Sequence, residues 1–355
     1  MDRQTAVHCV LVAAVAAAGW GAVPCLATEE FRSSDTKSFV VGTQPDIAIE
    51  TINGDISYVV TEGTTATVTI ETIVRADNAE EAERIRQKIR LTVEGDEGFL
   101  TARVDYPDDF HRWLREIFGT QRSITVSFHV RGPKGADGVL GSVSGDVDAE
   151  GVLGHLEMRS VSGDIDARRL GGRLRINSTS GDVHITAAGA STSIRTVSGD
   201  QWIQTCAGDL EANSVSGNVE AHAVRGMTEV GTVSGDVTLD GLEATVRVGT
   251  TSGEIRIVQE SGGFDLHSTS GDITIESSAP EEPLIVRSTS GEVSVSVRPE
   301  SIGQAVLETS SGDIQADLEM TVRQHTRHRL VGRVGPGDQE IRISTVSGDI
   351  VLGEL

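Results

Sequence analysis

The side chains best placed to do chemistry are acids that follow a repeated Ser-Gly turn. They are Asp146, Asp164, Asp182, Asp200, Asp236, Glu254, Asp272, Glu292, Asp313 and Asp349, with Asn218 the neutral member of the series. If the turns stack, the carboxylates form a column at one inter-strand spacing, about 4.8 Å. Neighbouring charges that close repel by roughly 1 kcal/mol even at the dielectric of water. Calcium takes oxygen ligands and would offset this repulsion, with Asp146, Asp164, Asp182, Asp200, Asp236 and Asp272 as the candidates to hold it. The nonapeptide repeats that bind calcium through turn aspartates carry further glycines around the acid, and these are missing here. In the competing reading each acid accepts a turn N–H and points into water.

Nothing in the chain assembles a catalytic set. His155, His184, His222 and His267 fall at four different offsets from their turn glycines, so they form no ladder. There is no zinc-protease helix, nucleophile elbow or phosphate loop, and nearly every turn offers the same acid. The repeat region holds only Trp202 and Phe264 as aromatics, few for an extended glycan groove. The residues therefore assign no catalytic group, no cofactor and no metal, and a glycan-active β-helix enzyme is the alternative they support least.

Two other clusters are candidate partner contacts. Arg323, His325, Arg327, His328, Arg329 and Arg333 lie in a stretch with no acid between Glu319 and Asp338, ahead of the loop signal Gly335-Pro336-Gly337. It reads as a solvated insertion, as an anion-contacting patch for an envelope polymer, or as a cover for the last coil. The second cluster is a helix predicted over residues 108–118, capped by Asp108 or Asp109 and ended by Gly119. It places Phe110, Trp113, Leu114, Ile117 and Phe118 on one face. That face either packs on its own domain and covers a solenoid end, or docks a partner or membrane.

What positions these residues is a repeat. The turn glycines are Gly145, Gly163, Gly181, Gly199, Gly217, Gly235, Gly253, Gly271, Gly291, Gly312 and Gly348; seven intervals of 18 residues are followed by 20, 21 and 36. Counting from each glycine, apolar residues recur at +2, +4 and +7 and again at +11, +13 and +16, so each coil reads as two similar halves. A short strand alternates its side chains, and units this small bury an apolar face only by stacking. The expected fold is mainly β: a parallel β-helix (β-solenoid) of 18-residue coils, preceded by a small mixed β/α domain. Ser or Thr at −3 and Ser at −1 predict hydroxyl ladders at the corner. About twelve coils would give a rod on the order of 55 Å long.

Domain organisation follows. Residues 1–27 carry an uncharged Ala/Val-rich stretch ending in Cys25-Leu26-Ala27 and read as a signal peptide. An uncleaved anchor and a lipoprotein acylated at Cys25 are the alternatives. Residues 28–135 form the mixed domain, in which Asn53-Gly54-Asp55-Ile56 looks like a lone copy of the turn. There Asn78 and Glu81 form a capping box for a helix with Ala82, Ile85 and Ile89 on one stripe. Residues 136–355 are the solenoid. Loss of residues 1–27 removes one acid and one base, leaving the net charge at −23. That acidity argues against nucleic acid and anionic membranes as partners. Cys206 is then the remaining cysteine, at an inward position, so no internal disulfide is expected. No second apolar stretch is long enough to span a bilayer.

The signal peptide, the mixed segment and the repeated Ser-Val-Ser-Gly-Asp-Val and Ser-Thr-Ser-Gly-Asp-Ile turns resemble a bacterial putative-adhesin family of β-solenoid domains of unknown function. The resemblance covers most of residues 40–355. It implies an envelope or extracellular location and no known cofactor, and it defines no functional residues. The expectation is an exported, non-enzymatic β-solenoid protein, adhesin-like or a structural scaffold of the cell envelope, in the periplasm, at the surface or outside. The alternative is an envelope regulatory or sensor component that binds a protein or polymer. End-to-end self-association through open solenoid ends is a further expectation.

Overall fold

The computed structural model describes residues 29–107 and 122–355, and most of them are in β-strands. The stretch read as a signal peptide and the aromatic helix of residues 108–118 lie outside the described residues. Two compact units divide the chain, Met1–Asp166 and Ala167–Leu355.

In the first unit the chain forms a coil earlier than the run of repeats suggests. Strands β1 (Glu29–Val40), β2 (Asp46–Thr51), β3 (Ile56–Val60) and β4 (Thr65–Ala76) come first. Helix α1 (Ala79–Arg86) and strands β5 (Arg90–Asp96), β6 (Phe99–Asp105), β7 (Ser123–Gly132), β8 (Asp137–Ser142) and β9 (Val147–Glu150) follow. β2 pairs in parallel with β6 on one side and β8 on the other, and β3 likewise with β7 and β9. The Asn53–Asp55 turn is thus a true coil, with residues 61–136 inserted after it. Beyond β7 the sheet turns antiparallel through β4 to β1, and β5 pairs antiparallel with β6. Antiparallel strands end the parallel stack here, with α1 against β4. Asn78 caps α1 by accepting the Glu81 N–H at 2.9 Å, while Glu81 reaches back to the Asp77 N–H at 2.8 Å. That is one residue further back than a regular capping box, and Ala82 and Ile85 are buried as the stripe requires.

Tyr58 and Tyr106, the chain's two tyrosines, sit in this unit. Tyr58 is fully buried and its hydroxyl donates to the Pro133 carbonyl at 2.9 Å. Burial pushes its phenol far above the ordinary 10 and pushes Tyr106 up to about 12. With folded values raised, their contribution to stability is whole below pH about 10 and is lost as pH climbs toward the folded values. Absorbance at 295 nm should therefore show no tyrosinate until the protein unfolds at alkaline pH. Reversible ionisation near pH 10 with intact circular dichroism would contradict this burial.

The second unit stacks coils in parallel at an 18-residue offset, for example Leu174↔Thr192↔Leu210↔Thr228↔Val246. The +2 and +4 side chains point inward, as Val237 and Leu239 do, and in the 18-residue coils so do +11 and +13. The two halves of a coil are not equivalent, however. Position +7 is buried (Ala188, Cys206, Val224, Leu242), but +16 faces out, with Val197, Val215 and Val233 all more than 40% exposed. The preceding hydroxyl residue turns in instead (Thr196, Ser214, Thr232, Thr250). The tight Ser-Gly-acid corner follows that residue immediately, so the inward slot goes to a group that can serve the corner's backbone. In that role Ser214 Oγ accepts the Gly217 N–H at 2.8 Å.

The corner changes along the unit. Gly253, Gly271, Gly291, Gly312 and Gly348 adopt positive φ, whereas Gly199, Gly217 and Gly235 do not. From Gly253 the glycine N–H reaches the next coil instead, as in Gly253 N–H to Ser270 O at 3.2 Å. The Thr232, Thr250 and Ser268 hydroxyls have no hydrogen-bond partner, whereas Ser288 donates to the Ser290 carbonyl and Thr309 to that of Gly348. The strands also lengthen to Ile255–Ser270 and Ile273–Ser290, where the second corner opens.

The last coil in sequence is not the last in the stack. Strand Gln339–Ser347 lies between Ile273–Ser290 and Ile302–Ser311, parallel to both, and Ile350–Glu354 lies between Val293–Val297 and Ile314–Ala316. The 36-residue interval is therefore a detour. The chain builds the outermost coil, folds a hairpin of Thr321–Thr326 and Arg329–Arg333 antiparallel against Ile302–Ser311, and returns to fill the gap.

Candidate functional site

The turn acids form a bonded ladder. At most of the aspartates, and at Asn218, a side-chain oxygen accepts the backbone N–H of the equivalent residue in the neighbouring coil. In the first unit Asp55 accepts from Asp146 at 3.1 Å and Asp146 from Asp164 at 2.9 Å. In the second, Asp182, Asp200, Asn218 and Asp236 accept in turn from Asp200, Asn218, Asp236 and Glu254 at 2.8–2.9 Å. Asp272 accepts from Glu292, and Asp349 from Asp313, the latter again in the intercalated order. An acceptor ionised against a backbone N–H makes one of the stronger hydrogen bonds, and this offsets the repulsion along the column. Where glutamate replaces aspartate, at Glu254 and Glu292, no such bond leaves the side chain among the described residues; the extra methylene carries the carboxylate past the N–H.

Among the described residues no three acid, histidine or cysteine side chains converge as a metal site would need. A ladder built on hydrogen bonds makes two linked predictions. Millimolar calcium should leave the melting temperature unchanged. Asp236→Asn should be tolerated, as Asn218 already is, whereas Asp236→Ala strands the Glu254 N–H and should cost about 1 kcal/mol. A calcium-dependent rise in melting temperature, abolished by Asp236→Asn, would show that the column is a metal site instead.

The basic cluster lies on the hairpin. All six residues of Thr321–Thr326 are exposed, and that strand pairs, among the described residues, with Arg329–Arg333 alone. Arg329 meets Glu308 at 2.9 Å and Arg333 donates to the Gly335 carbonyl at 3.2 Å, so these two help seat the hairpin. Arg323 and Arg327 project from its outer strand and tip. Phe110, Trp113 and Ile117 lie outside the described residues. The histidines stay scattered: His222 meets Glu220 at 2.7 Å and Asp240 at 3.6 Å, while His184 lies beside Trp202. Cys206 is buried, and burial raises its thiol above the usual range, which suits a packed hydrophobe. No helix among the described residues is long and apolar enough to cross a membrane.

A parallel coil stack with a repeated Ser-Gly-acid corner, a hydroxyl ladder inside and an acid ladder outside defines a β-solenoid repeat protein. The family model that matches it is the Toastrack DUF4097 domain, over residues 137–205 and 193–352. With more than half of its length matched, the chain belongs to the Toastrack DUF4097 family. Among solved structures it is similar to a putative cell adhesion protein from Clostridium sporogenes, at 8% identity over 91% of this chain and 100% of that one, with a TM-score of 0.19. It is also similar to a putative adhesin from Parabacteroides merdae, at 10% identity over 90% and 95%, with a TM-score of 0.27. No curated protein matches it significantly.

Trp202 is a residue whose position sequence reasoning undervalued. Its +3 offset, between the inward +2 and +4, was the signal that it faces out.

Proposed function

We propose that this is an exported, non-enzymatic β-solenoid protein, adhesin-like or a scaffold of the bacterial cell envelope. The observation that carries the reading is the outward acid column, which repeats one group from coil to coil with its atoms engaged in backbone bonds. A surface of that kind presents a regular face rather than a singular reactive one. The Ala/Val-rich stretch of residues 1–27 agrees with it. A scan of single outward substitutions, read as retention in isolated envelope, tests it. A scaffold tolerates each change, whereas an enzyme shows a few intolerant acids on one face.

The hairpin favours a second reading, an envelope regulatory or sensor component that binds a protein or polymer. Its outer strand is exposed on every residue and cationic on a chain of net charge −23. Replacing Arg323, Arg327, Arg329 and Arg333 with serine should weaken retention on an anionic envelope polymer, more at low salt than at high. Unchanged retention would exclude the hairpin as the contact.

A further inference from the structure

On the outer face of the second unit, strand Gln201–Ile203 buries its first and last residues and leaves Trp202 facing out, half-buried. Trp202 stands in register with His184 in one neighbouring coil and Glu220 in the other. The His184 and Trp202 ring centroids are 6.3 Å apart, with the planes tilted at 51°. A groove of about 490 Å³ runs beside them, lined also by Asp182, Asp200 and Asn218. No lysine or arginine lines it. By contrast, a groove in the same unit mixes Arg173 and Arg175 with Asp209, Glu211 and Glu229, and one in the first unit mixes Lys134 with Glu62 and Asp137.

The Trp202 groove thus joins an aromatic ring to the carboxylates of Asp200 and Glu220, with neither lysine nor arginine in its lining. The bonds of the ladder orient these acids but leave their charge: Asp200 accepts one N–H from Asn218, and Glu220 meets a histidine through Oε1. Each chemistry that the groove would take must answer to both features. An anion is repelled. A neutral sugar stacks on the ring but draws nothing from the charge. A cation with methyl groups satisfies both, because an indole face attracts it through the ring quadrupole and its weak hydration lets it leave water for a shallow site. We propose that the groove beside Trp202 binds an alkylated ammonium group of the choline type, presented either by a free solute or by a lipid headgroup.

The test titrates the full-length protein with choline, with its uncharged carbon isostere 3,3-dimethylbutan-1-ol, and with phosphatidylcholine vesicles, by calorimetry and tryptophan emission. Saturable binding of choline is expected, with the isostere at least about tenfold weaker. Trp202→Ala should lower choline affinity about tenfold and Trp202→Phe should restore part of it. Both variants should unfold at the wild-type temperature, since the side chain faces out. Glu220→Gln should weaken binding and flatten its salt dependence. Vesicle binding displaced by free choline assigns the lipid source, and choline binding without vesicle binding assigns the solute. Absence of saturable choline binding, equal affinity for the isostere, or wild-type affinity in Trp202→Ala would each overturn the proposal.

Discussion

Gly253→Ala is expected to lower stability by about 3 kcal/mol or more, and to do so by separating coils rather than by perturbing one turn. Two constraints meet at this residue. Its φ of +145° lies where side chains with a Cβ are strained. A Cβ there would also collide with the backbone carbonyl of Gly235 in the neighbouring coil. The same contact recurs down the corner, from Gly199 against Gly181 to Gly312 against Gly348. Backbone atoms cannot rotate away as a side chain tip can, so relief requires the ladder to open. At Gly199 the collision acts without the φ penalty, and Gly199→Ala should therefore cost less than Gly253→Ala. Chemical denaturation of both variants checks the order. Costs below about 0.5 kcal/mol for both, typical of ordinary surface changes, would mean that the coils do not approach at the corner as described.

The second large effect is expected from removing residues 339–355. If the stack followed sequence order, this deletion would trim a terminal coil and leave the rest intact. Because the segment is intercalated, it instead removes the shared partner of two coils. Ile341, Ile343, Ile350 and Leu352 are fully buried, and burying four such side chains contributes roughly 6–12 kcal/mol. Strands Ile302–Ser311 and Ile314–Ala316 lose their parallel partner, and the basic hairpin is left paired to a strand that has lost its own. Limited proteolysis of the truncated protein should then cut throughout residues 299–338. Protection of residues 302–316 would show that the outer coil can re-pair directly with Ile273–Ser290, and that the intercalated coil is dispensable.

These outcomes turn on features of unequal visibility in the sequence. The coil and its corner were legible because an 18-residue period aligns one Ser-Gly-acid turn above another, and because +2/+4 alternation assigns the core. Exchange of the +16 valines for the −3 hydroxyls was not, since periodicity counts apolar residues without knowing which slot the corner's N–H requires. The helix cap at Asn78 was readable for the opposite reason: capping depends on residues three apart. Intercalation of Gln339–Ser347 was hidden because the interval of 36 equals two coils and so mimics regular stacking with a degenerate member. Early coil formation by β2 and β3 was hinted at by Asn53-Gly54-Asp55, but its parallel partners lie 53 to 91 residues on in the chain, from Asp46↔Phe99 to Asp46↔Asp137, beyond what local pattern reveals. At the candidate site, the acid column was read correctly as a column, while the direction of its bonds, from one coil to the next, needed three-dimensional register.

The most direct test of the functional account is co-sedimentation of the purified protein with isolated envelope fractions, polymer separated from membrane. An adhesin-like or scaffold protein of the envelope predicts saturable retention by one fraction, persisting when calcium is chelated. Failure to sediment with any fraction, at low salt as well as at physiological salt, would contradict an envelope role and leave the coil stack without its proposed partner.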